Sequence, residues 1–329
     1  MHLVPVCAIA SIVTIMSTAI LIHLERRRGF LCIDVNKIER PSVPCVGGFG
    51  IAAGFLSGVV LSYVLGVTPI NEALAVGISI VSSLLIGVMD DLSDLKSREK
   101  ILLGLLPALP IVVLGIYSPK PCLPFLGPAR LTIIYPLMVL LAFTVYQNGA
   151  NMVDTHNGTL ALFALSTHIF ALLLKLCTSF QLNSDLALVA IFIAVLASYL
   201  PFNIYPAKIF NGNAGSFVIG ASLAVSAIIL RLEVYYILAS MPMFVNGFYY
   251  ISSVRRFLQK EKVERPTYLD DKGCIHSSTG KRVPITLVRF TVTLSKASLS
   301  EKELVTILYT VFILTSLTSF ILAMMLGCS

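Results

Sequence analysis

Residues 71–100 read NEALAVGISIVSSLLIGVMDDLSDLKSREK. The run from Ala73 to Met89 carries no charge, and two aspartates, Asp90 and Asp91, close it. That run approaches the ~20 residues needed to cross a bilayer. It reads as a membrane span ending in a pair of carboxylates. Working outward, apolar runs recur at about 3–23, 46–66, 72–89, 101–117, 131–147, 158–177, 184–202, 215–231, 234–253 and 304–326. The expected fold is therefore an all-α integral membrane protein of about ten transmembrane helices. Of the 329 residues, 57% are hydrophobic and 12% charged, against about 25% charged in an average soluble domain. So apolar a chain cannot cover a globular surface with polar groups, which excludes a soluble enzyme, a nucleic-acid binder and a disordered protein.

The charges set an orientation. Arg26, Arg27 and Arg28 follow the first run, which has no Lys or Arg before it. It is thus expected to be retained as a span with the N-terminus outside, not cleaved as a signal peptide. Loops one, three, five, seven and nine together hold 20 Lys or Arg, and the even loops hold 3, with Lys175 inside a span. Cytoplasmic loops collect Lys and Arg, so the odd loops are expected in the cytoplasm and both termini outside. The net charge of +7 belongs to that bias and calls for no nucleic acid.

No composition break divides residues 1–329, and one membrane domain is expected. Its one long loop covers about 254–302. There TYLDDKGCIH resembles a hairpin with a turn at Asp270–Gly273, and VPITLVRFTVTL suits the membrane interface. Ser300 and Glu303 form a capping-box pattern before the last span. Gly50, Gly54, Gly58 and Ser62 recur every four residues, a stripe that permits close packing within the chain or between protomers of a homodimer. The seven cysteines, at 7, 32, 45, 122, 177, 274 and 328, include no CxxC pair. They are expected to be packing residues, without disulfides or zinc.

Chemistry concentrates in the odd loops. Loop one reads IDVNKIERPSVPCVGG, with Lys37 and Arg40, and loop three begins at Asp90 and Asp91. Loop five reads NGANMVDTHNG, where Asn148, Asn151, Asp154 and Asn157 recur every three residues, so a helical turn groups them on one side. They offer hard oxygen ligands and amide hydrogen bonds, suited to magnesium and a nucleobase. Loop seven reads PFNIYPAKIFNGNAGS, with Lys208 and a small-residue helix entry at Asn211–Ser216 where backbone N–H groups can approach a phosphate. Loop nine contributes Arg265, His276, Lys281 and Arg282. Carboxylates, amides and cations on one face suit a magnesium diphosphate and a nucleoside. Transporters place such residues in the middle of broken spans, and here the middles hold only His168 and Lys175.

These motifs, in this order, resemble the polyprenyl-phosphate N-acetylhexosamine-1-phosphate transferase family. The forms DVNK..RP.VP..GG and N.YPAK.F.GN are closest to its archaeal and eukaryotic dolichyl-phosphate branch. The resemblance implies transfer of a sugar-1-phosphate, GlcNAc-1-phosphate in that branch, from a UDP-sugar to a membrane polyprenyl or dolichyl phosphate. UMP is released, as the first step of lipid-linked oligosaccharide (N-glycan) assembly. It implies a Mg2+ cofactor, with Mn2+ as a substitute, and a cytoplasmic active site in a cell or endoplasmic-reticulum membrane. By position, Asp90, Asp91 and Lys100 match the catalytic group that handles the lipid phosphate. Asn151, Asp154 and Asn213 match metal positions, and Lys37, Arg40, Asn148, Asn157, Lys208 and His276 match substrate-binding segments. Two departures stand out: Thr155 and His156 interrupt the usual loop-five ending, and Asn213 stands where the family has a metal-binding aspartate. They leave open an alternative, a non-catalytic lipid carrier on the same scaffold.

Overall fold

A computed structural model describes residues 2–123, 127–178, 183–254, 263–280, 283–295 and 298–327. Helix α1 (Leu3–Arg28) leads into the short strands β1 (Leu31–Ile33) and β2 (Ser42–Pro44), then α2 (Gly48–Val64) and α3 (Ile70–Ser93). Two short helices follow, α4 (Ser97–Leu103) and α5 (Leu109–Val113), and then the two-residue strands β3 (Cys122–Leu123) and β4 (Gly127–Pro128). Next come α6 (Tyr135–Val153), α7 (Thr159–Thr178), α8 (Ser184–Asn203), α9 (Gly212–Ile229), α10 (Glu233–Ala239) and α11 (Met241–Val254). Strands β5 (Thr267–Leu269) and β6 (Cys274–Ser277), helix α12 (Leu287–Ser295), strand β7 (Leu299–Ser300) and helix α13 (Glu301–Leu326) complete the chain.

Six of these helices, α1, α3, α7, α8, α9 and α13, are long and apolar enough to cross a membrane. The chain is a multi-pass integral membrane protein. Two expected spans are broken. The run 101–117 is α4, a 3-10 turn at Leu106–Ala108, and α5. Pro107 and Pro110 lack the N–H that a continuous helix needs, and apolarity alone had masked them. The run 234–253 divides between α10 and α11 at Ser240, just before Pro242.

Helix α9 is the hub, with Ala214 through Ile229 all buried. A helix apolar on every side belongs in the interior, and α9 packs on α3 and α6. Its entry is held at very short range: a β-carbon at Gly48 would meet the Ala214–Gly215 backbone, and one at Gly87 the Asn213–Ala214 backbone. The glycine stripe of α2 is spent inside the chain, with Gly50 and Gly54 against Thr18 and Thr14 of α1. His168 is a satisfied core residue, bonded to Tyr236 Oη at 3.0 Å and Ser222 Oγ at 3.2 Å.

The long loop bears out its local signals. Strands β5 and β6 pair antiparallel across the Asp270–Gly273 turn, and β7 adds a third strand. Ser300 Oγ accepts from Glu303 N at 3.3 Å while Glu303 Oε2 accepts from Ser300 N at 2.8 Å, so the capping box is formed. The cysteine expectation is overturned. Cys32 and Cys45 form a disulfide across the β1–β2 hairpin, with Cα atoms 5.8 Å apart, and Cys122 is disulfide-bonded as well. Dispersal along a chain does not measure distance once a hairpin closes. Cys7, Cys177 and Cys274 are free, and Cys328 lies outside the described residues.

Candidate active site

One end of the bundle holds a cavity of about 570 Å³. Its walls are Gly29–Asn36, Cys45 and Val46 from loop one, Asp91 from α3, Asn151 and Asp154–Asn157 from loop five, and Asn203 and Phe210–Asn213 from loop seven. Four loops far apart in sequence thus converge. Loops one and seven are stitched by backbone: Phe210 N donates to Pro44 O at 2.8 Å, Gly47 N to Phe210 O at 2.9 Å, and Gly48 N to Asn211 O at 3.0 Å. Glu25, buried at the end of α1, accepts from Cys45 N at 2.7 Å and Val46 N at 3.2 Å.

The two aspartates of loop three serve different partners. Asp91 Oδ1 accepts from Asn213 N at 2.9 Å and Oδ2 from Ala214 N at 3.1 Å. It anchors the entry of α9, where exposed N–H groups and the helix dipole favour negative charge. Gly212, at φ +67°, lies between this carboxylate and the Cys45 carbonyl. A β-carbon there would come within 2.6 Å of that carbonyl oxygen. Asp90 turns away from the cavity, to Lys100 Nζ at 2.6 Å and Leu95 N at 3.0 Å. Asp90 and Lys100 therefore hold each other, and neither lines the cavity.

In loop five, both Asp154 oxygens accept from Asn211 Nδ2 at 2.9 Å. Burial pushes the Asp154 carboxyl up to about 7, against the pull of Asn211. Burial likewise holds the His156 imidazole down at about 4. Its Nδ1 lies 3.0 Å from Thr155 Oγ1.

Asp91, Asn151, Asp154, Asn157 and Asn213, all predicted from sequence, line the cavity together. Asn148 instead donates to Thr144 O at 2.8 Å within α6. Lys37 bridges Asp34 and Glu301. Burial opposes its charge, but the two carboxylates outweigh that and raise its pKa. Arg40 (φ +43°) and Lys208 are not in the cavity wall. His276 stacks on Tyr268 and contacts Asp270 at 2.9 Å, outside the cavity. The Cys274 backbone N–H, followed by His276, holds Asp270 below the usual carboxylate range. Lys281 and Arg282 lie outside the described residues. Asp34, Asn36 and Asn203 were not singled out in advance, and Asn211 was read only as the start of a helix entry. Asn211 stood two residues from Asn213, but linear order did not show which amide meets Asp154.

The oxygens suit a hard cation. Two carboxylates, Asp91 and Asp154, share the wall with the amides of Asn151, Asn211 and Asn213, and Asn211 Oδ1 is buried without a hydrogen-bond partner. Among the described residues no three His, Cys, Asp or Glu side chains are grouped for a metal. Magnesium is commonly held by one or two carboxylates plus substrate phosphates and water, and this wall fits that arrangement.

The pattern of glycosyl transferase family 4 matches residues 73–231, from α3 to the end of α9. The chain is 32% identical over 220 residues to a protein of Saccharolobus solfataricus named for UDP-N-acetylglucosamine–dolichyl-phosphate N-acetylglucosaminephosphotransferase activity, covering 65% of this chain and 66% of the relative. A protein of Sulfolobus acidocaldarius with the same name is 35% identical over 225 residues, 64% of this chain and 66% of the relative. A Bacillus subtilis protein named for undecaprenyl-phosphate N-acetylglucosaminyl 1-phosphate transfer is 28% identical over 287 residues, 82% and 75% of the two chains. The match thus spans just under two thirds of each archaeal relative.

Proposed function

We propose that this chain, whose residues 73–231 match glycosyl transferase family 4, transfers GlcNAc-1-phosphate from UDP-GlcNAc to a membrane polyprenyl or dolichyl phosphate. The observation that carries this is the meeting of loops one, three, five and seven around one cavity whose wall includes three aspartates and six asparagines. A phosphate oxygen of the lipid attacks the phosphorus that bears the sugar, the P–O bond to the uridylate breaks, and UMP leaves. A phosphate monoester is mostly ionised near pH 7, its second pKa being about 6, so little base catalysis is required. Positioning and charge neutralisation dominate.

Asp91, Asn151, Asp154 and Asn213 would hold magnesium with the diphosphate, with Asn211 assisting. The ion would supply neutralisation of phosphate charge. Asn157 faces the nucleoside, and the Asp90–Lys100 pair lies beside Asp91 at the acceptor end. Mg2+-dependent UMP release from UDP-GlcNAc, with purified protein and dolichyl phosphate, tests the assignment. Release is expected. No release from any of a panel of UDP-sugars would favour the non-catalytic carrier, the reading that Asn213 in place of an aspartate supports.

Ten membrane passages, with the odd loops in the cytoplasm, complete the proposal. The basis is the 20-to-3 asymmetry in Lys and Arg. The Cys32–Cys45 disulfide pulls the other way, since cytosolic disulfides are rare outside hyperthermophiles. Cys122 is itself disulfide-bonded, so an outside reporter is better introduced at exposed Lys120. In sealed cells Lys120→Cys is expected to react with an impermeant maleimide while free Cys274 does not. Reaction at Cys274 instead would reverse the orientation.

A further inference from the structure

Glu301, the first residue of α13, is 4% exposed. An acidic residue in a first turn is ordinarily explained by the helix dipole, but this one reaches across the fold. Its Oε1 accepts from Asn157 Nδ2 at 3.3 Å, and its Oε2 lies 3.3 Å from Lys37 Nζ. Lys37 is held in turn by Asp34 and sits 5.1 Å from the Tyr205 ring centroid. Tyr309 Oη, also on α13, donates to the Asn157 carbonyl at 2.5 Å. Asn157 is thus clamped at its backbone and at its amide nitrogen, and the residue lines the cavity.

A carboxylate can only accept. Glu301 therefore dictates which way the Asn157 amide lies: nitrogen toward Glu301, oxygen on the other side. Among the described residues, none donates to Asn157 Oδ1, and that atom is absent from the fully buried unpaired groups. We propose that Glu301 is a positioning residue for base recognition, holding Asn157 so that Oδ1 is an acceptor for the base. Uracil offers a donor at N3–H, whereas N3 of cytosine is itself an acceptor. Oδ1 facing N3 thus selects uridine over cytidine nucleotides. A freely flipping amide would serve both. The inference rests on the UDP-sugar reading above, and gives that reading a structural cause for its choice of base.

Binding of UMP, CMP and N3-methyl-UMP to the full-length protein in detergent, with magnesium, tests it. Wild-type protein is expected to bind N3-methyl-UMP and CMP at least about tenfold more weakly than UMP, since each leaves a buried acceptor unpaired. Glu301→Ala should reduce the UMP-to-CMP preference at least fivefold, roughly the effect of one lost hydrogen bond. Glu301→Gln, whose carbonyl can still accept from Asn157 Nδ2, should keep most of it. Equal loss of UMP and CMP binding in Glu301→Ala would mark a structural role and overturn the proposal. Equal binding of UMP and N3-methyl-UMP by wild-type protein would overturn it without any variant. Wild-type protein that binds no uridine nucleotide and turns over no UDP-sugar would remove the substrate reading, and this inference with it.

Discussion

Lys100→Ala should be the most damaging single substitution near the cavity, lowering stability by about 3–5 kcal/mol, the usual cost of breaking a buried pair from one side. The side chain of Asp90 has no solvent exposure, and Lys100 Nζ lies 2.6 Å from it. Removing the cation leaves the buried carboxylate, among the described residues, with one donor, the Leu95 backbone N–H. The apparent melting temperature in detergent reads this directly. Asp90→Leu combined with Lys100→Met should recover much of the loss, because replacing both members of a buried pair by apolar groups is often near neutral. Turnover separates a support from a participant. If the pair serves the acceptor phosphate, the double variant folds but turns over at least tenfold more slowly, about 1.4 kcal/mol of transition-state stabilisation. Recovery of both properties would make the pair purely structural.

That expectation differs from what position along the chain suggests. Asp90 and Asp91 end an apolar run, and such residues ordinarily mark a solvated boundary. In the fold, adjacent positions on a helix are separated by roughly 100°. One aspartate therefore meets Lys100 and the other meets the first turn of α9. The sequence announces that carboxylates are present but not which one faces the cavity. That information sits in the rotation of α3 against α9, fixed by the close approach of Gly87 to Ala214.

The convergence itself was legible. Loops one, three, five and seven were expected on one face from charge bias and spacing, and they line one cavity. Local chemistry was legible too: the Ser300–Glu303 box and the β5–β6 hairpin need only residues a few positions apart. The misses are long-range or competitive. Cys32 and Cys45 pair through a hairpin whose strands are three residues each, too short to announce themselves by alternation. Pro107, Pro110 and Pro242 stood in plain view within apolar runs, and there the backbone requirement prevailed over hydropathy. Loop nine was expected to bring His276 to the substrate. Its described residues instead form the sheet beside α12, with His276 committed to Asp270 and Tyr268. Glu301 gave no signal, since SLSEKEL reads as an ordinary helix start and its partners lie 144 and 264 positions away in Asn157 and Lys37.

Asp154→Asn is expected to weaken magnesium use more than Asn213→Ala. An asparagine carbonyl can occupy a ligand position but brings no charge, and magnesium sites commonly rely on at least one carboxylate. With Asn213 where the resemblance expects an aspartate, and Asp34 of the cavity wall ion-paired with Lys37, the negative charge available to a cation comes from Asp91 and Asp154. Both Asp91 oxygens already accept from the α9 backbone, at Asn213 N and Ala214 N. Among the described residues, Asp154 accepts only from the Asn211 side chain, which a cation can displace more cheaply than a helix entry. Asp154 is therefore the better placed of the two to offset the missing charge. Activity titrated against magnesium should shift to at least tenfold higher concentration in Asp154→Asn, about 1.4 kcal/mol of lost ion binding. The Asn213→Ala curve should move less, since the Asn213 backbone N–H, not its side chain, holds Asp91. An unchanged curve in Asp154→Asn, with a strong shift in Asn213→Ala, would place the ion on Asn213 and remove charge compensation by Asp154.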